Sequence, residues 1–148
     1  MSLQEKIQKD VISATKDGKT VEVDILKMVL ASLKNARIEN NNEDLSEEEE
    51  VKVVFSEAKK VKDSIEQYKK GGRDDLVTRE QEQLEVIERY LPAQAGEEEI
   101  RKVVKKVIDD TGAANMGQMG MVMGTAMKEL QGKADGGAVS DIVKELLS

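Results

Sequence analysis

The sequence predicts an all-α protein, with an N-terminal helical bundle followed by a small C-terminal domain of three helices. Two observations predict this class. Apolar residues recur at intervals of three and four along most of the 148 residues, which is the period of one helix face. Proline occurs once and charged residues make up 36% of the chain, so long helices with solvated faces can form without interruption.

The first two helices are predicted from apolar spacing and from the residues at their ends. The segment LQEKIQKDVISATKDG places apolar residues from Leu3 to Ala14 on one face and ends at Gly18, a residue typical of a helix C-terminus. In the next segment, TVEVDILKMVLASLKNARIEN, we expect Thr20 to be the N-cap and the apolar face to run from Val23 to Leu33.

The third and fourth helices have the clearest boundaries. Ser46 followed by Glu49 forms a capping-box pattern, and an amphipathic run then continues to Gly71. We expect the fourth helix to extend from about Asp74 to Leu91. Pro92 stops it, because the residue before a proline is disfavoured in helical geometry.

Pro92 also marks the predicted domain boundary, which divides the chain into residues 1–92 and 93–148. The polar segment AQAGEEE follows it, and the composition then shifts to glycine, alanine and methionine. Residues 97–110 form the next predicted helix, which ends at Gly112, and a last helix contains Val139 to Leu147. We expect Tyr90 and Leu91 to pack across this joint.

Between those two helices lies the stretch NMGQMGMVMG, which looks at first like a glycine-rich phosphate loop. Its end residues favour a helix instead, since Asn115 and Gln118 form a capping-box pattern. On a helical wheel, the apolar positions from Met119 to Leu130 share the core face. Gly117, Gly120 and Gly124 fall together on another arc, alongside Met121 and Lys128.

Three glycines in one helix need a physical reason, because each costs about 1 kcal/mol relative to alanine. One reason is close packing against a neighbouring helix, which small residues permit. The other is the close approach of something outside the protein, such as a sugar-phosphate backbone. The two reasons are compatible if different glycines serve different ends.

The residues that are missing exclude several kinds of chemistry. The chain has no cysteine and no histidine, which excludes thiolate and imidazole zinc sites, cysteine nucleophiles and Ser-His-Asp triads. No phosphate-loop, dinucleotide-binding or nucleophile-elbow motif is present. We therefore expect no catalytic centre, no cofactor and no metal. The charged N-terminus and the lack of long apolar stretches predict a cytoplasmic protein without a membrane partner.

The net charge of −7 argues against a protein that coats nucleic acid non-specifically. Both predicted domains are acidic, with net charges of −5 and −2. Local basic patches remain compatible with these totals.

The run MGMVMGTAMKELQGKADGGAVSDIVKELL resembles the C-terminal signature of the GatB/YqeY family. The similarity continues through ERYLPAQAGEEEI, KKGGRDDLVTREQEQLEVI and LKMVLASLKNARIE, and so covers almost the whole chain as a free-standing protein of the YqeY type. The family often has an acid before the methionine-glycine pair, where this chain has Gln118. A role for that charge is not carried over.

The resemblance implies a two-part helical fold related to the tail of the B subunit of the tRNA-dependent amidotransferase and to domains appended to some glutaminyl-tRNA synthetases. Such domains help to hold tRNA, which makes tRNA, an amidotransferase or an aminoacyl-tRNA synthetase the implied partner. A tRNA-binding accessory module is the first hypothesis. The alternatives are a part of an amide-transfer enzyme, a carbon-nitrogen ligase with glutamine as amido donor, and a helical adaptor that binds only protein.

For tRNA binding we expect a basic surface that the glycines leave sterically open. Lys128 shares the arc of the glycines, Lys133 stands in the following turn GKADGG, and we expect both to be exposed. In that turn Gly132 is predicted to end the helix in a left-handed conformation, and Asp135 to cap the last helix. The predicted tRNA-binding residues are Gly117, Gly120, Gly124, Lys128, Lys133, Lys102, Lys105 and Lys106.

Overall fold

The computed structural model describes all residues from Met1 to Ser148. It contains seven α-helices and one short 3₁₀ turn and no β-strand, so the predicted all-α class is confirmed. The chain divides into two compact units, Met1–Leu91 and Pro92–Ser148. The predicted division into domains of residues 1–92 and 93–148 stays a prediction.

The first unit contains four helices, which are α1 (Leu3–Lys16), α2 (Thr20–Glu39), α3 (Glu47–Lys70) and α4 (Asp74–Glu88). Helix α2 contacts each of the other three. Aliphatic side chains dominate the core, because each amphipathic helix turns one apolar face inward. Its most fully buried members include Ile7, Ile25, Leu26, Leu33, Val54 and Ile87.

The capping box at the start of α3 is confirmed. The Ser46 hydroxyl accepts a hydrogen bond from the Glu49 N–H, and the Glu49 carboxylate accepts one from the Ser46 N–H. At α2 the predicted cap is wrong, because Lys19 occupies the N-cap position and Thr20 is already helical. Gly18 has a φ of +68°, and the Thr20 N–H donates to the Gly18 carbonyl at 3.1 Å, so the turn out of α1 leads directly into α2.

Helix α4 ends at Glu88, three residues before the predicted end at Leu91. In the last turn the N–H groups of Tyr90 and Leu91 donate to carbonyls three residues earlier, at 3.0 and 3.2 Å. This tighter turn replaces the final α-helical turn before Pro92, as expected for residues that precede a proline. The predicted break between the fourth and fifth helices is therefore present, and α5 begins at Glu97.

The end of α4 is tied to α1 and α2. Tyr90 is 8% exposed, its hydroxyl donates to the carboxylate of Asp10, and the Lys6 ammonium lies 5.4 Å from the ring centroid. The next residue towards the N-terminus, Arg89, donates to Glu22 at 2.9 Å. Burial and the nearby Asp10 carboxylate raise the pKa of the Tyr90 hydroxyl above its ordinary value.

We expected Tyr90 and Leu91 to pack across the joint, and the structure places both side chains against the core of the first unit. Tyr90 belongs to the buried cluster itself, and Leu91 is half-buried against it. The segment before Pro92 is therefore the end of the first unit.

The second unit contains α5 (Glu97–Thr111), α6 (Met119–Leu130) and α7 (Gly136–Leu147), and each of the three contacts the other two. Gly112 ends α5 in the left-handed conformation, with a φ of +70°. The core has no aromatic residue, and its most buried side chains are Val104, Val122, Ala126, Leu130, Val139 and Val143. None of the seven helices combines the length and the apolar character that crossing a bilayer requires.

Replacing Tyr90 by phenylalanine is expected to lower the free energy of unfolding at pH 7 by about 1–3 kcal/mol, because the half-buried Asp10 carboxylate loses its donor. The raised pKa means that the folded protein holds the Tyr90 proton more tightly than the unfolded chain does. This contribution to the stability of the wild-type protein is complete below about pH 10 and decreases as the pH rises further. The stability of Tyr90→Phe does not show this decrease, because the variant has no hydroxyl to titrate at this position.

Denaturant unfolding of both proteins between pH 7 and 11 measures these differences. Tyr68→Phe is the matched control, because the Tyr68 side chain is half-buried and its hydroxyl makes no hydrogen bond. An equal loss of stability in both variants would mean that the bond to Asp10 contributes nothing.

Candidate nucleic-acid interface

The methionine-glycine stretch begins with a single 3₁₀ turn, Met116–Gln118, and α6 starts only at Met119. The Asn115 side chain accepts a hydrogen bond from the Gly117 N–H at 2.9 Å. The Gln118 side chain accepts one from the Ala114 N–H at 2.6 Å. Asn115 therefore caps this start through its side chain, as predicted. In a capping box Gln118 would accept from the Asn115 N–H, whereas here it accepts from the N–H of the preceding residue, Ala114.

This start corrects the predicted position of Gly117. The helical wheel assumed 100° per residue from Asn115 onward, but a 3₁₀ turn advances by about 120° per residue. Gly117 is exposed and lies in that turn, outside α6. Within α6 itself, Gly120 and Gly124 remain on one face as predicted.

Gly120 and Gly124 face open space. A Cβ atom built on either residue would meet no heavy atom within 4 Å, apart from the local helix backbone. Close packing against a neighbouring helix, which was one of the two reasons considered for these glycines, is therefore wrong for this pair. The opposite face of α6 makes the core contacts through Val122, Ala126 and Leu130.

The residues around these two glycines add one cation and one apolar group. Lys128 is exposed and pairs with no carboxylate, and Met121 is 45% exposed. The Thr125 hydroxyl donates to the Met121 carbonyl at 3.0 Å, so it is used within the helix. We call Gly120, Met121, Gly124 and Lys128 the open face of α6.

Lys133 follows α6 in a tight turn. Gln131 has φ −59° and ψ 129°, Gly132 has φ +74°, and the Lys133 N–H donates to the Leu130 carbonyl at 2.9 Å. These values describe a type II β-turn, in which the left-handed residue is glycine. The left-handed Gly132 is confirmed, but α6 has already ended at Leu130, and Lys133 is half-buried where we expected exposure.

The three lysines of α5 are all exposed, as a binding surface requires. Lys102 and Lys106 each lie two positions from the buried Val104, which puts them on the opposite side of the helix. They therefore point away from the core that α5 shares with α6. Lys105 lies on the flank of the helix, between the core side and this outer side. The guanidinium of the neighbouring Arg101 forms ion pairs with Glu97 at 3.0 Å and with Glu145 at 2.8 Å, so its charge is already paired within the protein.

Sequence reasoning missed the residues that hold the turn before α7. The Gln94 side-chain amide donates to the Pro92 carbonyl at 2.9 Å and to the Gly132 carbonyl at 2.8 Å. The Ala95 N–H donates to the Lys133 carbonyl at 2.8 Å. The signal for this segment was the run ERYLPAQAGEEEI, which is part of the family resemblance and contains Gln94, but a sequence pattern does not show what the glutamine binds.

The first unit contains polar cavities that the sequence did not indicate. One of about 280 Å³ lies beside Tyr90 and Asp10, and a neighbouring one of about 390 Å³ opens at the start of α2. Both are lined by Lys19, Glu22 and Arg89. No group of three or more carboxylates in the chain comes together in a way that could hold a metal ion.

Comparison with known proteins shows which sequences this chain resembles. The sequence model described as "Yqey-like protein" matches residues 4–147. The chain is 33% identical to the E subunit of glutamyl-tRNA(Gln) amidotransferase of Thermococcus gammatolerans over 125 residues. That match covers 81% of this chain and 19% of the relative.

Two further relatives show how the matched part varies. The chain is 44% identical to the E subunit of the same amidotransferase of Methanobrevibacter smithii over 52 residues, which is 32% of this chain and 8% of the relative. It is 29% identical to altered inheritance of mitochondria protein 41, mitochondrial, of Pyrenophora tritici-repentis over 145 residues, which is 95% of this chain and 66% of the relative. The last name refers to mitochondria, and the cytoplasmic location of this chain stays a prediction.

Gly124→Ala is expected to raise the free energy of unfolding by about 0.5–1 kcal/mol, because alanine favours the helix and its Cβ meets no other atom. Gly132→Ala is the contrasting control. It should destabilise the protein, since a φ of +74° is unfavourable for a residue with a Cβ. Thermal or denaturant unfolding measures both, and a destabilising Gly124→Ala would contradict the open face.

Asp135 is the N-cap residue of α7, with extended backbone angles, and its Oδ2 atom lies 3.0 Å from the position of a Cβ on Gly137. Its predicted position is therefore confirmed, but no N–H of the first turn of α7 donates a hydrogen bond to its carboxylate, so the predicted side-chain cap is wrong. Asp135→Ala should still lower the free energy of unfolding, by about 0.3–1 kcal/mol, because a carboxylate at the N-terminus of a helix interacts favourably with the helix dipole. A change in ligand binding at unchanged stability would instead make Asp135 a contact residue.

Proposed function

The chain belongs to the Yqey-like protein family, and we propose that its second unit is an accessory module that binds tRNA and has no catalytic centre of its own. The observation that carries the proposal is the open face of α6, where two glycines leave the helix uncovered beside the unpaired Lys128. The relatives named as the E subunit of glutamyl-tRNA(Gln) amidotransferase support the choice of tRNA over other anionic ligands.

Glycine suits this role because it removes the side chain that would hold a sugar-phosphate backbone away from the helix. A methionine at the edge adds a pliable apolar contact for a ribose or a base face. Contacts of this kind fix the position of an RNA without reading its sequence. The module therefore recognises the shape and charge of tRNA.

Lys128 and Lys133 supply the cations closest in sequence to the open glycines. Lys133 is half-buried, and we propose that its ammonium reaches the solvent while its aliphatic stem lies against the protein, as is common for lysine. Lys102 and Lys106 add positive charge from the outer side of α5 and Lys105 from its flank, and all three attract the phosphates at longer range. We propose Gly117, in the 3₁₀ turn before α6, as a further point of close approach.

The chemistry then belongs to a partner, which we propose to be a tRNA amidotransferase or an aminoacyl-tRNA synthetase. A module that holds tRNA weakly gains affinity when an enzyme binds the same molecule at a second place. Binding by the isolated protein should accordingly be weak and strongly dependent on salt.

The test is a titration of the full chain with bulk tRNA at several salt concentrations. We expect binding at low salt that disappears as the salt concentration rises. Lys128→Glu with Lys133→Glu should abolish this binding without unfolding the protein, because neither side chain belongs to the core. Lys102→Glu with Lys106→Glu should weaken it less, since these residues face away from α6.

Lys52→Glu with Lys62→Glu is the matched control, because both lysines are exposed on α3 and the change in net charge is the same. Equal loss of binding in this control would mean that only total charge matters. If the wild-type protein bound no tRNA at low salt, a helical adaptor that binds only protein would be the better account.

A further inference from the structure

We propose that Gln94 is a positioning residue for tRNA binding, which acts by holding the turn that carries Lys133. The inference rests on the proposed function, since it concerns the same binding face. It depends on hydrogen bonds within the second unit, between the segment Pro92–Ala95 and the turn Gln131–Lys133.

The Gln94 amide nitrogen bridges two main-chain carbonyls. It donates to the Pro92 carbonyl at 2.9 Å and to the Gly132 carbonyl at 2.8 Å, and both hydrogen bonds are partly buried. An amide nitrogen carries two hydrogens, so one side chain can satisfy both acceptors. Gly132 itself is buried, so water has little access to replace the bond to its carbonyl.

The effect of Gln94 passes to Lys133 through the main chain. The Gly132 carbonyl belongs to the peptide group that joins Gly132 to Lys133, so Gln94 fixes the orientation of that peptide. The Lys133 carbonyl accepts from the Ala95 N–H at 2.8 Å, and the Lys133 N–H donates to Leu130 at 2.9 Å. Both backbone groups of Lys133 are thus held, which sets the direction in which its side chain leaves the turn.

Gln94→Met tests this role because methionine has a similar length but donates no hydrogen bond and adds no charge. The first measurement is hydrogen exchange of the Ala95 amide in the full chain without ligand. We expect exchange to become about tenfold faster or more, since the segment Pro92–Ala95 loses its two side-chain bonds to the main chain. Val139→Ala, a cavity change in the core of the same unit, is the control for general loss of stability.

The second measurement is a double-mutant cycle for tRNA binding with Lys133→Gln. Gln94→Met should weaken binding by about three- to tenfold in the wild-type background, and by less than about twofold when Lys133 is already glutamine. Val139→Ala should leave binding unchanged at a temperature where the protein is folded. If Gln94 only stabilised the unit, Gln94→Met would leave binding unchanged in both backgrounds, as Val139→Ala does.

Three results overturn the inference or separate it from the proposed function. Unchanged exchange at Ala95 in Gln94→Met would show that the amide does not hold the turn. An equal loss of binding with and without Lys133 would show that Gln94 does not act through that lysine. If the wild-type protein bound no tRNA, the proposed function would fail together with the binding role of Gln94, while the exchange measurement would still report whether Gln94 holds the turn.

Discussion

The second unit depends on the burial of one aliphatic face from each of three short helices. All three aromatic residues of the chain lie in the first unit. The buried core of α5, α6 and α7 therefore consists of valine, isoleucine, leucine and alanine, and the half-buried Met119, Met123 and Met127 pack against it. Fully burying one such larger side chain contributes about 1.5–3 kcal/mol. Because only one face of each helix is needed for this core, the opposite faces are free to carry glycine on α6 and lysine on α5.

Much of the fold could be predicted because its determinants are local in sequence. Ser46 and Glu49 are three residues apart, and Gly112 follows the last apolar residue of α5 closely, so both helix ends were predicted. Ser2 and Glu5 form the same capping box at α1, with the same spacing of three residues. Thr20 shows where local prediction fails. Threonine is a good N-cap residue, but the turn at Gly18 makes Lys19 the N-cap and Thr20 the first residue of α2.

The binding face could be predicted only in part. Periodicity placed Gly120 and Gly124 on one side of α6, but it could not tell whether another helix covers that side, because the answer depends on how α5 and α7 pack. Gly117 was misplaced since no local signal separates a 3₁₀ turn from the first turn of an α-helix. The bond from Gln94 to Gly132 joins residues 38 positions apart, and the bond from Tyr90 to Asp10 joins residues 80 apart, so neither leaves a pattern in a single sequence.

The separation between Gln94 and Gly132 has a consequence for synthesis on the ribosome. Helices that pack against their neighbours in sequence form in microseconds to milliseconds once they are available. The segment from Pro92 to Ala95 leaves the ribosome about 2–8 s before the turn that it binds, since 38 further residues must be added at about 5–20 residues per second. During that interval the first unit has all of its own residues, so its core can close before the second unit exists.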